Sequence, residues 1–479
     1  MSRLSEFGRR LYDGAPMPFR TFAASARGFQ LRLWRYGRET ERYTEEALDR
    51  DHWNGARWKS WREETLSRLL VEASRKVPFY REHWAARRRS GDRSSVERLE
   101  NWPILSKAAV RARPFAFVSD DGSPRRMLHE TTSGTSGTPI HLWFARGAVR
   151  QWYGLVEARI RRWNGVTRHD RWAILGGQLV VPVRATKPPF WVWNAGLRQL
   201  YMSSYHLGNG AGASYADALA RYGVRYVLGY ASSLSLLAKD ILAAGRQGPP
   251  LAVAISNAEP LLAHQRQAIE AAFGCPVRDT YGMCEIVCGA SECPSGRLHQ
   301  WPEAGVVEIL EDQADAPVVP GHPGRLIATG LLNGLMPLVR YEVGDRAAIE
   351  PQSSCDCGRL LPMLKSIEGR SDDVIRTPSG RAVGRLDPVF KGDFRIREAQ
   401  IIQEALDHLR VDVVSDGGFD EEQSARLSRA LHERLGDDVT VRVRLVESIP
   451  RGANGKFRAV VSQLPTSGGR MAALEGRSA

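Results

Sequence analysis

Three features of the sequence predict an α/β chain: a large amino-terminal domain of helix-flanked sheets with a β-rich subdomain, then a small α+β carboxyl-terminal domain. Between residues 171 and 282, short apolar runs alternate with stretches of helical period, as parallel strands joined by crossover helices do. Over residues 305–349 the pattern turns β-rich, with VVEILED, GRLIATGL and LVRYEVGDRAAIE separated by turn residues. Beyond residue 371, strand and helix patterns fill a compact span of about 100 residues, the size of a small domain. A chain of 479 residues has length for more than one such unit.

Taken in order, Leu66, Leu69, Leu70, Ala73 and Val77 recur at helical spacing, and Pro78 stops that helix. LENWPILSKAAVRARP holds a turn at Pro103 and a short helix opened by Ser106 as N-cap. TTSGTSGTP, residues 131–139, is dominated by hydroxyl side chains and two glycines and reads as an exposed loop between regular elements. Gly134 and Gly137 let successive N–H groups turn toward one anion, while Thr132, Ser133, Thr135 and Ser136 add hydroxyl donors. Such a loop suits phosphate, although taken alone it has the composition of a solvated linker. HLWF then leads into the helix of GAVRQWYGLVEARIRRW. RWAILGG is a strand, SYADALARYGVRYVLGY a helix, a turn at Gly223 and a strand, and ASSLSLLAKDILAAG a helix closed by Gly245. LAVAISNAEP, LLAHQRQAIEAAFG and PVRDTYG give strand, helix and strand, so ligands should gather at the carboxyl ends of these strands. KSIEGRSDDVIRTPSGRAV is a strand, a charged turn and a hairpin; SARLSRALHERLG is a helix and VTVRVRLVE a strand. Residues 466–479 are small, polar and glycine-rich and are expected to be disordered.

The composition, 43% hydrophobic and 25% charged, is that of an ordinary globular protein. No apolar run reaches the roughly 20 residues of a membrane span, and no secretory signal follows the first residues, which places the chain in the cytoplasm. The net charge of +13 comes mostly from arginines scattered among carboxylates, with no nucleic-acid-binding signature. The exception is the basic arm, residues 1–57, where Arg3, Arg9, Arg10, Arg20, Arg27, Arg32, Arg35 and Arg38 interleave with Phe7, Phe19, Phe22, Phe29 and Trp34. It either packs on its own domain or makes a peripheral contact with an anionic membrane or a partner. All six cysteines, Cys275, Cys284, Cys288, Cys293, Cys355 and Cys357, fall in one window, which points to metal or local packing rather than a disulfide framework.

Four segments, TTSGTSGTP at 131, YGMCE at 281, RYEVGD at 340 with EGRSDD at 368, and PRGANGK at 450, stand in one order. In that order and at those separations they resemble the adenylate-forming ligases, the superfamily of acyl-CoA synthetases and peptide-synthetase adenylation domains, over residues 58–462. VPFYREHW, WPILSK, YVLGYASSLSLLA, CDCGRLLP and GKFRAVVS resemble the phenylacetate-CoA ligase branch, and within it the ligase-like proteins associated with capsular polysaccharide genes. The resemblance implies attack of a carboxylate on the α-phosphorus of ATP, giving an acyl-adenylate and pyrophosphate, then capture of the acyl group by a thiol or amine. It implies a large domain over 58–370 and a mobile lid over 371–465.

On that resemblance, residues 132–138 (Thr132, Ser133, Gly134, Thr135, Ser136, Gly137, Thr138) cradle the β- and γ-phosphates. Family members usually carry a lysine near the end of this loop; here Thr138 is followed by Pro139 and Ile140, so one cation is missing. Tyr281 with Gly282 stacks on adenine, and Ala258, Glu259 and Pro260 line the adenine and acyl pocket. Glu285 holds Mg²⁺, a hard cation suited to carboxylate oxygen. Asp345 accepts from the ribose hydroxyls, Arg370 adds a cation to ribose or phosphate, and Lys456 bridges the carboxylate and α-phosphate. Asp372 or Asp373 is the hinge. Trp172, Tyr230 and Ser256, at strand ends, would line a pocket for an aryl or other small organic acid, with CoA as the expected acceptor. Amide formation, adenylyl transfer and a non-catalytic basic adaptor of the same fold are the alternatives.

ECPSGRLH puts Cys293 and His299 on one short turn, and CDCG puts Cys355 and Cys357 on another. Two pairs of such ligands are what a closed tetrahedral zinc site requires, and similar positions recur in the phenylacetate ligase branch. Cys284 and Cys288 are possible substitutes, with Cys284 also placed to form pocket wall. The site would pin the loop after Glu285 to the strands before Arg370.

Overall fold

The computed structural model describes residues 12, 14–132, 140–178, 180–182, 185–207, 210–351, 354–370, 375–378, 382–383, 386–390, 394–415, 417–450 and 457–464. The chain divides into two compact units, the boundary falling between Ile367 and Glu368. Among the described residues no helix is long and apolar enough to cross a membrane.

In the larger unit, β1 (Leu128–Thr131) and β2 (His141–Phe144) make an antiparallel hairpin. The strands that follow are β3 (Trp172–Gly176), β4 (Trp191–Asn194), β5 (Gln199–Ser203), β6 (Tyr226–Tyr230), β7 (Val253–Asn257) and β8 (Val277–Gly282). After them come β9 (Gly289–Glu292), β10 (Leu298–Gln300), β11 (Gly305–Leu310), β12 (Gly324–Gly330), β13 (Tyr341–Ile349) and β14 (Met363–Arg370). These twelve form one sheet in the order β11-β12-β13-β14-β10-β9-β8-β7-β6-β3-β5-β4. Its centre, β5-β3-β6-β7-β8, is parallel. β9 then pairs antiparallel to β8, so the β-rich stretch extends the parallel sheet across the YGMCE turn.

The helices are α1 (Met17–Arg35), α2 (Glu39–Arg50), α3 (Gly55–Lys76), α4 (Pro78–Arg89), α5 (Lys107–Ala112), α6 (Arg146–Leu155), α7 (Gly212–Arg221), α8 (Ala231–Ala243) and α9 (Ala263–Phe273). Pro78 ends α3 and also starts α4, because a proline at the first helical position gives up only an N–H that has no intrahelical partner. Ser106 caps α5 as its sequence predicts, the hydroxyl accepting from Ala109 N at 3.2 Å. The crossover helices bury Leu219, Leu234, Leu237, Ile241, Ile269 and Phe273 against Leu175, Val227, Ala254 and Val277 of the strands. A second core joins Leu70, Trp84 and Trp102 of the amino-terminal helices and loops to Leu326, Val339 and Tyr341 of the β-rich stretch.

The smaller unit has a short hairpin, β15 (Ile375–Arg376) with β16 (Ala382–Val383). It also has a sheet of β17 (Ile396–Ala405), β18 (His408–Ser415), β19 (Thr440–Leu445) and β20 (Val460–Ser462) in the order β19-β18-β17-β20. Leu427, Leu431 and Leu435, four apart on α10 (Glu421–Leu435), bury one helical face over Ile401, Val411 and Val413. Asp420 caps this helix, accepting from Gln423 N at 2.9 Å.

Candidate active site and a cysteine-histidine cluster

The parallel strands end on one edge of the sheet, where a turn after each must satisfy its own polar groups. There Thr280 Oγ1 donates to Ser256 O at 2.7 Å, tying β8 to β7, and Ser256 Oγ lies 2.5 Å from Asp279 Oδ1. Burial pushes the Asp279 carboxyl up to about 7, against the opposing hydrogen bond from Ser256. Ala258, just past β7, holds φ of 63°, a left-handed conformation costly for a residue with a Cβ. Beyond it Glu259 Oε2 accepts from Ser232 N at 3.0 Å in the first turn of α8, where backbone N–H groups lack helical partners. Burial, with the nearby Glu259 charge, raises the Tyr230 hydroxyl above its ordinary value.

Two crossed hydrogen bonds join the segments 281–285 and 341–345. Tyr281 Oη donates to Asp345 Oδ2 at 2.6 Å, and Tyr341 Oη donates to Glu285 Oε1 at 2.8 Å. Each segment therefore supplies one tyrosine to the other's carboxylate. Tyr341 is fully buried and Glu285 is 9% exposed, so the second bond sits where charge-assisted hydrogen bonds are strong. The segments are bent into place by strained residues: Ile286 has φ of 49° and Arg340 φ of 47°. Arg340 is clamped by both Glu308 oxygens, at 3.1 and 3.0 Å, and donates to Trp102 O at 3.0 Å. That clamp fixes the residue immediately before Tyr341. Glu285 Oε2 has no hydrogen-bond partner among the described residues, which makes it an oxygen donor of the kind a hard cation takes.

Cys284 Sγ approaches Thr131 O at 3.8 Å, so this site stands beside the base of the hydroxyl-rich loop. The base itself is pinned: Thr132 N donates to Ile140 O at 3.1 Å, and Ile140 N to Thr132 Oγ1 at 3.0 Å. Ser133, Gly134, Thr135, Ser136, Gly137 and Thr138, with Asp372, Asp373 and Lys456, lie outside the described residues. Arg370 closes β14, and its side chain is also outside them.

The structure brings Tyr281, Gly282, Glu285 and Asp345 together and sets Tyr230, Ser256 and Ala258–Pro260 at neighbouring strand ends. Trp172 is not with them. It opens β3 opposite Tyr226, at the amino end of the parallel strands; it stacks on the Tyr226 ring at 5.8 Å and donates to Leu197 O at 2.9 Å. It is a core residue at the far end of its strand; the sequence does not say which end of a strand faces the site. The structure adds Tyr341 and Asp279, which the sequence does not single out. Tyr341 falls inside RYEVGD and Asp279 on the PVRDTYG strand, but their contacts depend on partners 56 and 23 residues away, which no local pattern reports.

A second cluster stands apart from this site. Cys293, His299, Cys355 and Cys357 bring their ligand atoms within 4.8 Å of one another. The hairpin turn after β9 carries Cys293, whose N–H donates to Arg297 O at 2.9 Å, and β10 carries His299. Gly358 N donates to Cys355 O at 3.0 Å and closes the opposing turn. His299 Nδ1 lies 3.3 Å from Leu361 O, so a proton on that nitrogen leaves Nε2 as the acceptor, 3.4 Å from Cys357 Sγ. Cys293 and Cys355 sulfurs are 3.7 Å apart. Ligands about 2.3 Å from a tetrahedral Zn²⁺ stand ~3.8 Å from one another, so the spacing fits. Burial pushes Cys293 up to about 12 and His299 down to about 4; burial also opposes the Cys357 thiolate, but hydrogen bonds from Arg359 outweigh it and lower that thiol. Cys288 is buried in the main core and Cys284 lies against Thr131, so neither joins the cluster. Asp51 anchors its outer wall, accepting from Trp163 Nε1 at 2.7 Å, Arg159 Nε at 2.9 Å and, through its carbonyl, Leu360 N at 2.8 Å.

Residues 375–463 match the family described as the CapK C-terminal domain. Over 460 residues the chain is 24% identical to protein CapK of Staphylococcus aureus, covering 95% of this chain and 99% of that one. It is 23% identical over 402 residues to the phenylacetate-coenzyme A ligase of Thermus thermophilus, covering 80% and 84%. Among solved structures, 2-hydroxyisobutyryl-CoA ligase in its postadenylation state with R3-HIB-AMP superposes with a TM-score of 0.64 at 20% identity, covering 86% of this chain and 91% of that one. At that identity the likeness speaks for the fold.

Proposed function

From a chain homologous to CapK and to a phenylacetate-CoA ligase, we propose a member of the phenylacetate-CoA ligase-like branch of the adenylate-forming ligases, an ATP-dependent ligase that activates a small or aryl carboxylic acid and passes it to CoA. The observation that carries this reading is the pair of crossed tyrosine–carboxylate bonds, Tyr281 to Asp345 and Tyr341 to Glu285, beside the pinned base of the hydroxyl-rich loop. Adenine stacks on Tyr281, while Asp345, with Oδ2 held by Tyr281, offers Oδ1 to the ribose hydroxyls. Residues 132–138 take the β- and γ-phosphates. Glu285 would hold Mg²⁺, which when bound would supply neutralisation of phosphate charge.

In the first step a carboxylate oxygen bonds to the α-phosphorus as the bond to the β-phosphate bridging oxygen breaks, and pyrophosphate leaves. Lys456 and Arg370 offset the negative charge that collects there. In the second step the thiol sulfur attacks the acyl carbon, its proton goes to solvent, and AMP departs. Lys456 serves the first step only, and rotation of the small unit about Asp372 or Asp373 admits the acceptor for the second. The Cys293, His299, Cys355 and Cys357 cluster holds one structural Zn²⁺: four ligands leave no open position for chemistry.

Pyrophosphate release tested across a panel of carboxylic acids, alone and with CoA or amines, checks the proposal. Acid-dependent release, with thioester only when CoA is present, is expected. Release without thioester but with amide favours an amide ligase, and AMP left on a hydroxyl favours adenylyl transfer. A chain that releases no pyrophosphate with any acid is the adaptor alternative.

A further inference from the structure

Helix α1 is fastened to the edge strand of the large sheet. Ala24 and Gly28 face inward, Ser25 Oγ donates to Trp193 O at 3.4 Å and accepts from Ala195 N at 3.1 Å. A Cβ on Gly196 would stand 2.3 Å from Phe29 N, so the backbones touch and no larger residue fits there. Among the described residues the opposite face has no such partner. Phe19, Phe22, Phe29 and Leu33 are 54%, 71%, 52% and 66% exposed, four of the ten large hydrophobics exposed among the described residues. With exposed Ala26 they recur at intervals of three and four and form one stripe along the helix. Each ring exposes on the order of 100 Å², so the stripe approaches the 300–600 Å² typical of a monomer's largest apolar patch, which is often functional.

Charge decides what covers it. The helix carries Arg20, Arg27, Arg32 and Arg35 and no acidic residue, and the first 38 residues hold eight arginines against Glu6 and Asp13. The carboxylates on neighbouring α2 are already engaged: Glu39 by Arg150, Glu41 by Arg162 and Arg168, Glu45 by Arg162, Glu46 by Arg50, and Asp49 by the indole N–H of Trp53. A second copy of this helix would bring like charges together with no carboxylate on either helix to offset them. An anionic bilayer would take the phenylalanines into its acyl boundary and Arg27 and Arg32, which flank the stripe, at its headgroups. We propose that α1 is an interfacial anchor that seats the protein on a membrane surface rich in anionic lipid.

Co-sedimentation of the full chain with vesicles tests this. The protein should pellet with mixed phosphatidylcholine–phosphatidylglycerol vesicles, release as salt is raised, and stay in solution with phosphatidylcholine alone. Phe22→Glu with Phe29→Glu should lower the bound fraction at least about tenfold, with no change in Tm because neither ring is in a core. Arg27→Gln with Arg32→Gln should weaken binding to the mixed vesicles as well. Failure to pellet with the mixed vesicles, equal binding to both vesicle types, or binding indifferent to the phenylalanine substitutions overturns the proposal. So does a dimer in light scattering that the same substitutions dissociate while vesicles bind neither protein, since the stripe would then be a self-interface.

Discussion

Asp279→Asn should change how stability depends on pH. Asp279 is buried beside Ser256 Oγ, and burial raises its carboxyl from 3.8 to about 7. Below the unfolded value the group is neutral in both states and contributes no penalty. As pH rises from there through the folded value, the unfolded chain loses its proton first, and the folded state is destabilised progressively. Over that window the shift corresponds to about 4 kcal/mol, about two-thirds of it between pH 5 and pH 8. Asparagine keeps the shape and cannot ionise. The difference in Tm between variant and wild type should therefore move in favour of the variant by on the order of 5 °C from pH 5 to pH 8. Thermal melts of both proteins across that range, read by near-ultraviolet circular dichroism, give the comparison. Parallel pH curves would refute the assignment of a buried, neutral carboxyl to this position.

Tyr341→Phe removes only the hydroxyl that donates to Glu285 at 2.8 Å, and a lost charge-assisted bond of about 1.5–3 kcal/mol predicts a ~10- to 150-fold fall in kcat/KM with a weaker response to Mg²⁺; unchanged kinetics would remove Tyr341 from the machinery. Elemental analysis should find about one zinc per chain, the stoichiometry of a closed four-ligand site. Cys355→Ser with Cys357→Ser should lose that zinc and lower Tm, whereas metal-free wild-type protein of unchanged stability contradicts the zinc assignment. Lys456→Ala should abolish adenylate formation and leave thioester formation from a supplied acyl-adenylate largely intact. Equal losses in both half-reactions would argue against two orientations of the small unit.

Much of the parallel half was legible because its signals are local. Gly223, with φ of 59°, separates α7 from β6, and Gly245, with φ of 66°, follows α8, each a turn that glycine enters without steric cost. The apolar runs of β6 and β7 are buried on both faces and read as continuous hydrophobic strands. What stayed hidden was the pairing of distant segments. Nothing in residues 289–349 says that β9 lies against β8 and carries the sheet onward, or that Tyr341 reaches Glu285. The cysteines could be gathered from their types and turns, because turn chemistry is also local. Trp172 shows the converse: strand composition does not reveal direction, so a buried tryptophan at the amino end resembled one at the site. The outward face of α1 was ambiguous because its arginines and phenylalanines alternate in sequence and only the inward contacts of Ala24 and Gly28 sort them into faces.

Exchange of labelled pyrophosphate into ATP, measured with single carboxylic acids and no thiol, tests the central claim most directly, because it reports reversible adenylate formation and nothing later. The account predicts Mg²⁺-dependent exchange that requires an acid and falls by at least about a hundredfold in Glu285→Ala or Asp345→Ala, the loss of one strong charge-assisted contact each. Exchange that persists at the wild-type rate in both variants, or ATP turnover that yields ADP in place of AMP, would contradict it.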